Sequence, residues 1–170
     1  MLEGRSATTA GYKMWLLPLE GERRLRPLAQ PSTGSQAHPM FSPDGRLVAY
    51  TSDESGVAQV YVQAVDGSSG RWQISTEGGD LATWRGDGRE LFYVGADRVL
   101  RAVPITGASP LVVGDAAQLF RTRIQSAITS EHSYYMPSAD GQRFLLSQPS
   151  GPPGDPALHV LMGWTAQGPR

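Results

Sequence analysis

The chain has 170 residues, a formal net charge of −1 and no cysteine. A nearly balanced charge excludes nucleic-acid or anionic-membrane binding through a bulk field, and the missing cysteine excludes disulfides, thiolate nucleophiles and cysteine metal sites. No apolar run approaches the roughly 20 residues of a membrane-spanning helix, and MLEGRSATTAGYK lacks the apolar centre of a secretory signal, so no membrane insertion is expected of this segment.

Twenty glycines and thirteen prolines are spread along the whole chain, as many short strands joined by tight turns require. Residues 1–30 hold two strand-like runs, YKMWLLPL and RLRPLA. Residues 31–78 hold four: HPMFS, LVAYTS, AQVYVQAV and RWQIS. Residues 79–120 hold LATWR, ELFYVG, RVLRAVPI and PLVVG. Residues 121–170 hold SYYMPS, RFLLSQ and LHVLMGW, with the Pro/Gly-rich QPSGPPGDPA between the last two. GDAAQLFRTRIQSAITSEH is the best helical candidate, but its β-branched second half argues against a long helix.

Two elements recur in a fixed order. FSPDGRLVAYTS aligns without gaps to WRGDGRELFYVG and PSADGQRFLLSQ, which places Asp44-Gly45, Asp87-Gly88 and Asp140-Gly141 at equivalent turns. VYVQAVDG aligns likewise to MWLLPLEG and LRAVPITG. A period of about 40–50 residues with two elements in register marks a repeat architecture. Asp-Gly supplies the positive φ of a hairpin turn, and the runs LVAY and LFYV, apolar at every position, predict strands covered on both faces. Antiparallel, hairpin-connected sheets covered on both faces at this period predict an all-β fold, a β-propeller of four-stranded antiparallel blades. A little over three blades are present: 1–30 as a half blade, 31–78 and 79–120 as blades, and 121–170 as the last blade. On this reading Phe41 and Trp84 share one place on the inner strands and fill the gaps between neighbouring blades, Tyr50 also packs between blades, and Tyr93 is its counterpart in the next copy of the repeat.

Residues that carry chemistry are sparse. His38, His132 and His159 sit on different blades, too scattered for a zinc site. His38 opens an inner strand and is the single candidate for contact with a ligand in the central channel. GSSGRW and STGSQAH lack the strained turn of a serine nucleophile. SDESG does not follow calcium-loop spacing and reads as a solvated turn. RRLR reads as a solvated edge that discourages strand pairing, and no aromatic residues interleave with it as single-stranded nucleic-acid binding requires. No catalytic residue, cofactor or metal is expected.

FSPDGRLVAYTSDESGVAQVYV resembles the WD40-like repeats of TolB-type β-propellers through Phe41, Ser42, Pro43, Asp44, Gly45, Ala49, Tyr50, Val60 and Tyr61. The next copy keeps Trp84, Asp87, Gly88, Arg89, Leu91 and Tyr93 but carries Arg85-Gly86 where the motif has Ser-Pro. The last copy has Ser138-Ala139. The flavour of GRWQIST, DGRELFY and VLMGW is similar to the C-terminal region of bacterial serine/threonine protein kinases and related regulators. None of the kinase's own glycine-rich, HRD or DFG segments is present.

That resemblance implies a non-catalytic module that binds a protein partner or small ligand as the sensor or interaction part of a larger bacterial regulator. Its compartment would be extracytoplasmic on a membrane-anchored kinase and cytoplasmic otherwise. The alternative it implies is the accessory propeller of a prolyl oligopeptidase-type peptidase without the catalytic domain. Propellers usually close with 4–8 blades, so the chain is expected to be part of a ring of roughly six or seven, or a half-propeller that self-associates to complete one.

Overall fold

Three Asp-Gly turns fold three hairpins in the same way. In a computed structural model, which describes residues 11–28, 34–68, 70–107, 110–124 and 134–147 and the backbone of 160–162, Gly45, Gly88 and Gly141 take φ of 71°, 73° and 70°. That is the left-handed region where a Cβ is costly. Each donates its N–H to the carbonyl three residues back, on Ser42, Arg85 and Ser138, at 2.8, 2.9 and 2.8 Å. Each preceding aspartate accepts the N–H two residues on, from Arg46, Arg89 and Gln142, at 3.0 Å in every copy.

The strands are β1 (Trp15–Leu16), β2 (Arg26–Pro27), β3 (Gln36–Phe41), β4 (Leu47–Ser52), β5 (Gln59–Ala64), β6 (Arg71–Gln73), β7 (Gly79–Trp84), β8 (Glu90–Gly95), β9 (Val99–Thr106), β10 (Val112–Val113), β11 (Ala117–Arg121), β12 (Tyr135–Pro137), β13 (Arg143–Leu146) and β14 (Val160–Met162). They form four antiparallel sheets: β1-β2, β3-β4-β5-β6, β7-β8-β9 with β10 and β11, and β12-β13-β14. No helix occurs among the described residues. The fold is all-β, a partial propeller, and the described residues form one half blade, two full blades and a three-stranded last blade.

Because successive side chains on a strand face opposite ways, each central strand feeds two seams. Leu47, Ala49, Val60 and Val62 face Trp84, Leu91, Tyr93 and Val103 of the next blade in one buried cluster. Phe92, Val94 and Leu100 face Tyr135, Phe144 and Leu146 in a second, where the Phe92 and Phe144 rings meet edge to face at 5.0 Å. Val48, Tyr50 and Tyr61 face Met14, with Leu28 and Val65 packed alongside, in a third. These seams are the core, and the strands LVAYTS and QVYVQA are buried along their whole length, as the apolar runs predict.

Two features depart from the sequence reading. The outer edge of β9 is covered by two strands: β10 pairs with Ile105 and Thr106, and β11 with Val99 to Ala102. The chain bends between them at Gly114, whose N–H donates to the Pro104 carbonyl at 2.9 Å. Residues 117–121 are thus strand, and β11 runs one residue past the sequence-drawn limit at 120. Phe41 also fails to fill a gap between blades. It is 52% exposed, whereas Trp84 at the equivalent place is 6% exposed, because the blade before Phe41 has no inner hairpin among the described residues to cover it.

Candidate functional site

The inner strands carry a polar clasp. The pairing of β3 with β4 shifts register between Ala37 and Met40, and that of β7 with β8 between Asp80 and Thr83. At each bulge one non-glycine residue takes positive φ, His38 at 53° and Leu81 at 57°. The bulge re-aims the His38 side chain toward the next blade, with Nδ1 2.7 Å from Oδ1 of Asp80. The same oxygen accepts the Thr51 hydroxyl at 2.6 Å and the Leu81 N–H at 2.7 Å. Tyr135 continues the chain of bonds by donating its hydroxyl to the Leu81 carbonyl at 2.7 Å.

His38, the channel candidate, is thereby tied to a buried carboxylate of the neighbouring blade rather than standing alone on its strand. Sequence reasoning missed Asp80. The signal was a single acid inside the otherwise apolar strand GDLATW, where a charge needs partners to be buried.

Beside this clasp lies an apolar groove of about 690 Å³, lined by Tyr12, Met14, Trp15, Leu17, Phe41 and Val48 among others, with His38 and Gln36 at its inner end. Its position follows from the repeat. β1 and β2 hold the places that β5 and β6 hold one blade on. Leu28 donates to the Met14 carbonyl at 3.0 Å as Ile74 donates to Val60 at 2.8 Å. Gln36 donates to Tyr12 at 2.8 Å as Gly79 donates to Ala58 at 2.9 Å. Trp15 pairs with Pro27 as Tyr61 pairs with Gln73. The groove therefore occupies the place where the inner hairpin of the half blade would lie. The edge of β1 that has no partner strand among the described residues borders it, with Trp15 58% exposed.

The remaining candidate residues serve the frame. Ser42 donates to Asp44 at 2.6 Å and Ser138 to Asp140 at 2.5 Å, and these hydroxyls are the main cause holding both carboxyls below the usual aspartate range. At Asp87 the neighbour is Arg85, whose Nε lies 3.4 Å from Oδ1. The SDESG acids are not merely solvated: Asp53 accepts the Ser35 N–H at 2.6 Å and Glu54 pairs with Arg71. Arg71 stacks over Tyr61, 4.4 Å from the ring centroid. Burial is the main cause pushing Tyr50 up to about 12, and its hydroxyl donates to Gln63 at 3.2 Å. Burial likewise raises Tyr93 and Tyr135.

From RRLR, Arg26 lies on β2 and donates to the Val65 carbonyl at 3.3 Å. Among the described residues no three of His, Asp and Glu are grouped to hold a metal. His132, His159 and the loop 148–157 lie outside the described residues.

No known family profile matches the chain. It is similar to "Tricorn protease homolog 1" of Streptomyces coelicolor, 35% identical over a 136-residue alignment that covers 71% of this chain and 12% of that protein. It is also similar to "Putative tricorn protease homolog 2" of the same organism, 42% identical over 66 residues, covering 39% and 6% respectively. The chain thus spans only a small part of the length of these relatives. Among solved structures, TolB from Acinetobacter baumannii superposes with a TM-score of 0.56 at 17% identity, over 82% of this chain and 32% of that one. The antiparallel blades, their repeated turns and this superposition together give the chain the fold of a TolB-like β-propeller, of which it forms a part.

Proposed function

We propose that the chain is a non-catalytic propeller module that binds a protein or peptide partner as an accessory part of a longer protein, with a peptidase as its setting. One observation carries the reading. A chain whose described strands are all propeller blades matches 12% of the length of a protein named as a tricorn protease homolog. A partial propeller that matches so small a share of a peptidase-type relative fits a part that holds or admits a substrate for chemistry performed elsewhere. The kinase-regulator setting suggested by the resemblance of the repeats has weaker support, since neither relative named above is a kinase. Because one fold hosts many functions, loop and groove residues must set the partner.

The purified chain, incubated with a fluorogenic peptide library, should bind a subset of peptides by fluorescence anisotropy and hydrolyse none. Cleavage that co-purifies with the chain through repeated chromatography would overturn the non-catalytic assignment. Failure of every peptide and every candidate protein to bind would overturn the binding role. The surrounding coding sequence separates the settings: an adjoining peptidase domain supports the one proposed, and an adjoining kinase domain with a membrane span supports the other.

A further inference from the structure

We propose that Arg98 anchors an acidic side chain, a glutamate of a partner segment lying across the two full blades, a proposal that rests on the peptide-binding reading above. The pointer is the turn that carries the arginine. The described turns that close with an N–H donated to the carbonyl three residues back put Gly45, Gly56, Gly67, Gly88 and Gly141 at positive φ. Arg98 closes one more, donating to the Gly95 carbonyl at 2.8 Å with φ at 64°. Glycine adopts that conformation freely, whereas any other side chain there is strained, and such strain clusters at functional sites. Gly56 holds between β4 and β5 the place that Arg98 holds between β8 and β9. The repeat itself therefore supplies the unstrained choice, and this copy departs from it.

The backbone at Arg98 is fixed from a second side. Its carbonyl accepts the Thr122 N–H at 2.8 Å and the Thr122 hydroxyl at 3.1 Å. The guanidinium, in contrast, is exposed and has no hydrogen-bond or ion-pair partner among the described residues. The neighbouring acids are engaged elsewhere. Asp97 is gripped at both oxygens by Arg101, at 2.7 and 2.9 Å, and Glu77 also acts on Arg101. Asp80 gives its Oδ1 to the Thr51 hydroxyl and the Leu81 N–H. Arg121 donates to the Asp97 carbonyl at 2.8 Å, which brings a further guanidinium to the same turn.

Arg98 borders a pocket of about 420 Å³, within the size range of ligand sites. Its walls come from the entry to β5, from β7 and β8 and from the turn before β9, so they belong to the two full blades and not to the groove over Phe41. Ala58 and Ala96 leave room, and Val57 and Val94 supply apolar surface, with Val57 54% exposed. An unpaired guanidinium beside aliphatic walls matches a single negative charge at the tip of an aliphatic stem. Glutamate has that form: its methylenes lie on Val57 while its carboxylate meets the guanidinium fork.

The test titrates the full chain with a peptide acetylated and amidated at its ends that carries one glutamate flanked by alanine and valine. Saturable NMR amide shifts should centre on Ala58 and on Ala96 to Val99, and affinity should fall with added salt. Glutamine in place of the peptide's glutamate, or Arg98→Gly in the chain, should weaken binding about ten-fold or more. Arg98→Gly should unfold at an equal or higher temperature, because glycine relieves the positive φ. A lower midpoint would mean that the arginine serves the fold, and would overturn the proposal. Equal binding of the glutamine peptide, or preference for a free C-terminal carboxylate without glutamate, would overturn it too. Peptide binding that Arg98→Gly leaves intact sinks the anchor and keeps the binding module. Hydrolysis of a peptide whose binding still requires Arg98 sinks the non-catalytic assignment and keeps the anchor. Absence of binding to any peptide overturns both.

Discussion

The seam between the sheets β3–β6 and β7–β11 is built from two full blades, whereas the seam between β1–β2 and β3–β6 has, among the described residues, a full blade on one side only. The strand faces are repeats of one another. Val48 and Tyr50 at the half seam are the counterparts of Leu91 and Tyr93 at the complete one, and all four are buried. The outer strands alone, through Met14 and Leu28, suffice to bury the central strand of the next blade. They do not suffice to bury the aromatic residue of its inner strand. Trp84 is covered and donates its indole N–H to the Met40 carbonyl at 3.2 Å; Phe41 is not covered. A blade therefore contributes in two parts, an outer pair that seals the middle of the neighbouring sheet and an inner hairpin that seals its axial end.

Truncating the two aromatics is the most direct way to break this comparison. Trp84→Ala should cost about 3–5 kcal/mol, as for a large aromatic removed from a packed core. Phe41→Ala should cost less than about 1 kcal/mol. Chemical denaturation of both variants checks the pair, and equal losses would mean that the half seam is as well packed as the complete one.

The clasp comes next. Asp80→Ala strands the donors from Thr51 and Leu81 and should cost about 1–3 kcal/mol for each donor left buried and unbonded. Asp80→Asn, which keeps one acceptor oxygen, should cost less.

A pH profile examines both seams together. Tyr50 sits at the half seam with its ionisation raised from 10.0 to about 12. Burial raises Tyr93 and Tyr135 at the complete seams as well. Above pH 10 the unfolded chain gives up phenolic protons that the folded chain keeps. Stability is therefore full below pH 10 and falls as the pH climbs toward 12. Ultraviolet difference absorbance should show tyrosines that ionise only with unfolding, and Tyr50→Phe should remove one of them.

The smallest effect belongs to the turns. Ser42→Ala removes the main cause of the low Asp44 pKa and should move that carboxyl toward the ordinary aspartate range in an NMR titration. The hydroxyl's support of the ionised turn is present above pH 3.8 and lost as the pH falls through the lowered value.

Local chemistry was legible in the sequence wherever it acts within a few residues. The Asp-Gly pairs, the apolar runs LVAY and LFYV and the repeated VYVQAVDG element each specify their own hairpin or strand, and the fold follows from their spacing. Contacts that depend on the next blade were less legible. Asp80 stands out as a lone acid in its strand, but it acquires its role from His38 and Thr51, which belong to another sheet. Phe41 matches the repeat better than Trp84 does, yet it is the exposed one, because burial depends on a hairpin that precedes it and not on its own motif. The second outer strand, Ala117–Arg121, was hidden for a related reason: AQLFR alternates weakly, and pairing with β9 decides its conformation.

The indole bond between Trp84 and Met40 has an optical consequence. Trp84 reports from inside the complete seam, shielded and hydrogen-bonded, while Trp15 reports from the open groove in contact with solvent. A small ionic quencher should reach Trp15 freely and Trp84 only when the seam parts. The half seam and the complete seam thus carry tryptophans of opposite accessibility, and with Trp72 and Trp164 replaced by phenylalanine, seam opening can be followed by light separately from events in the groove.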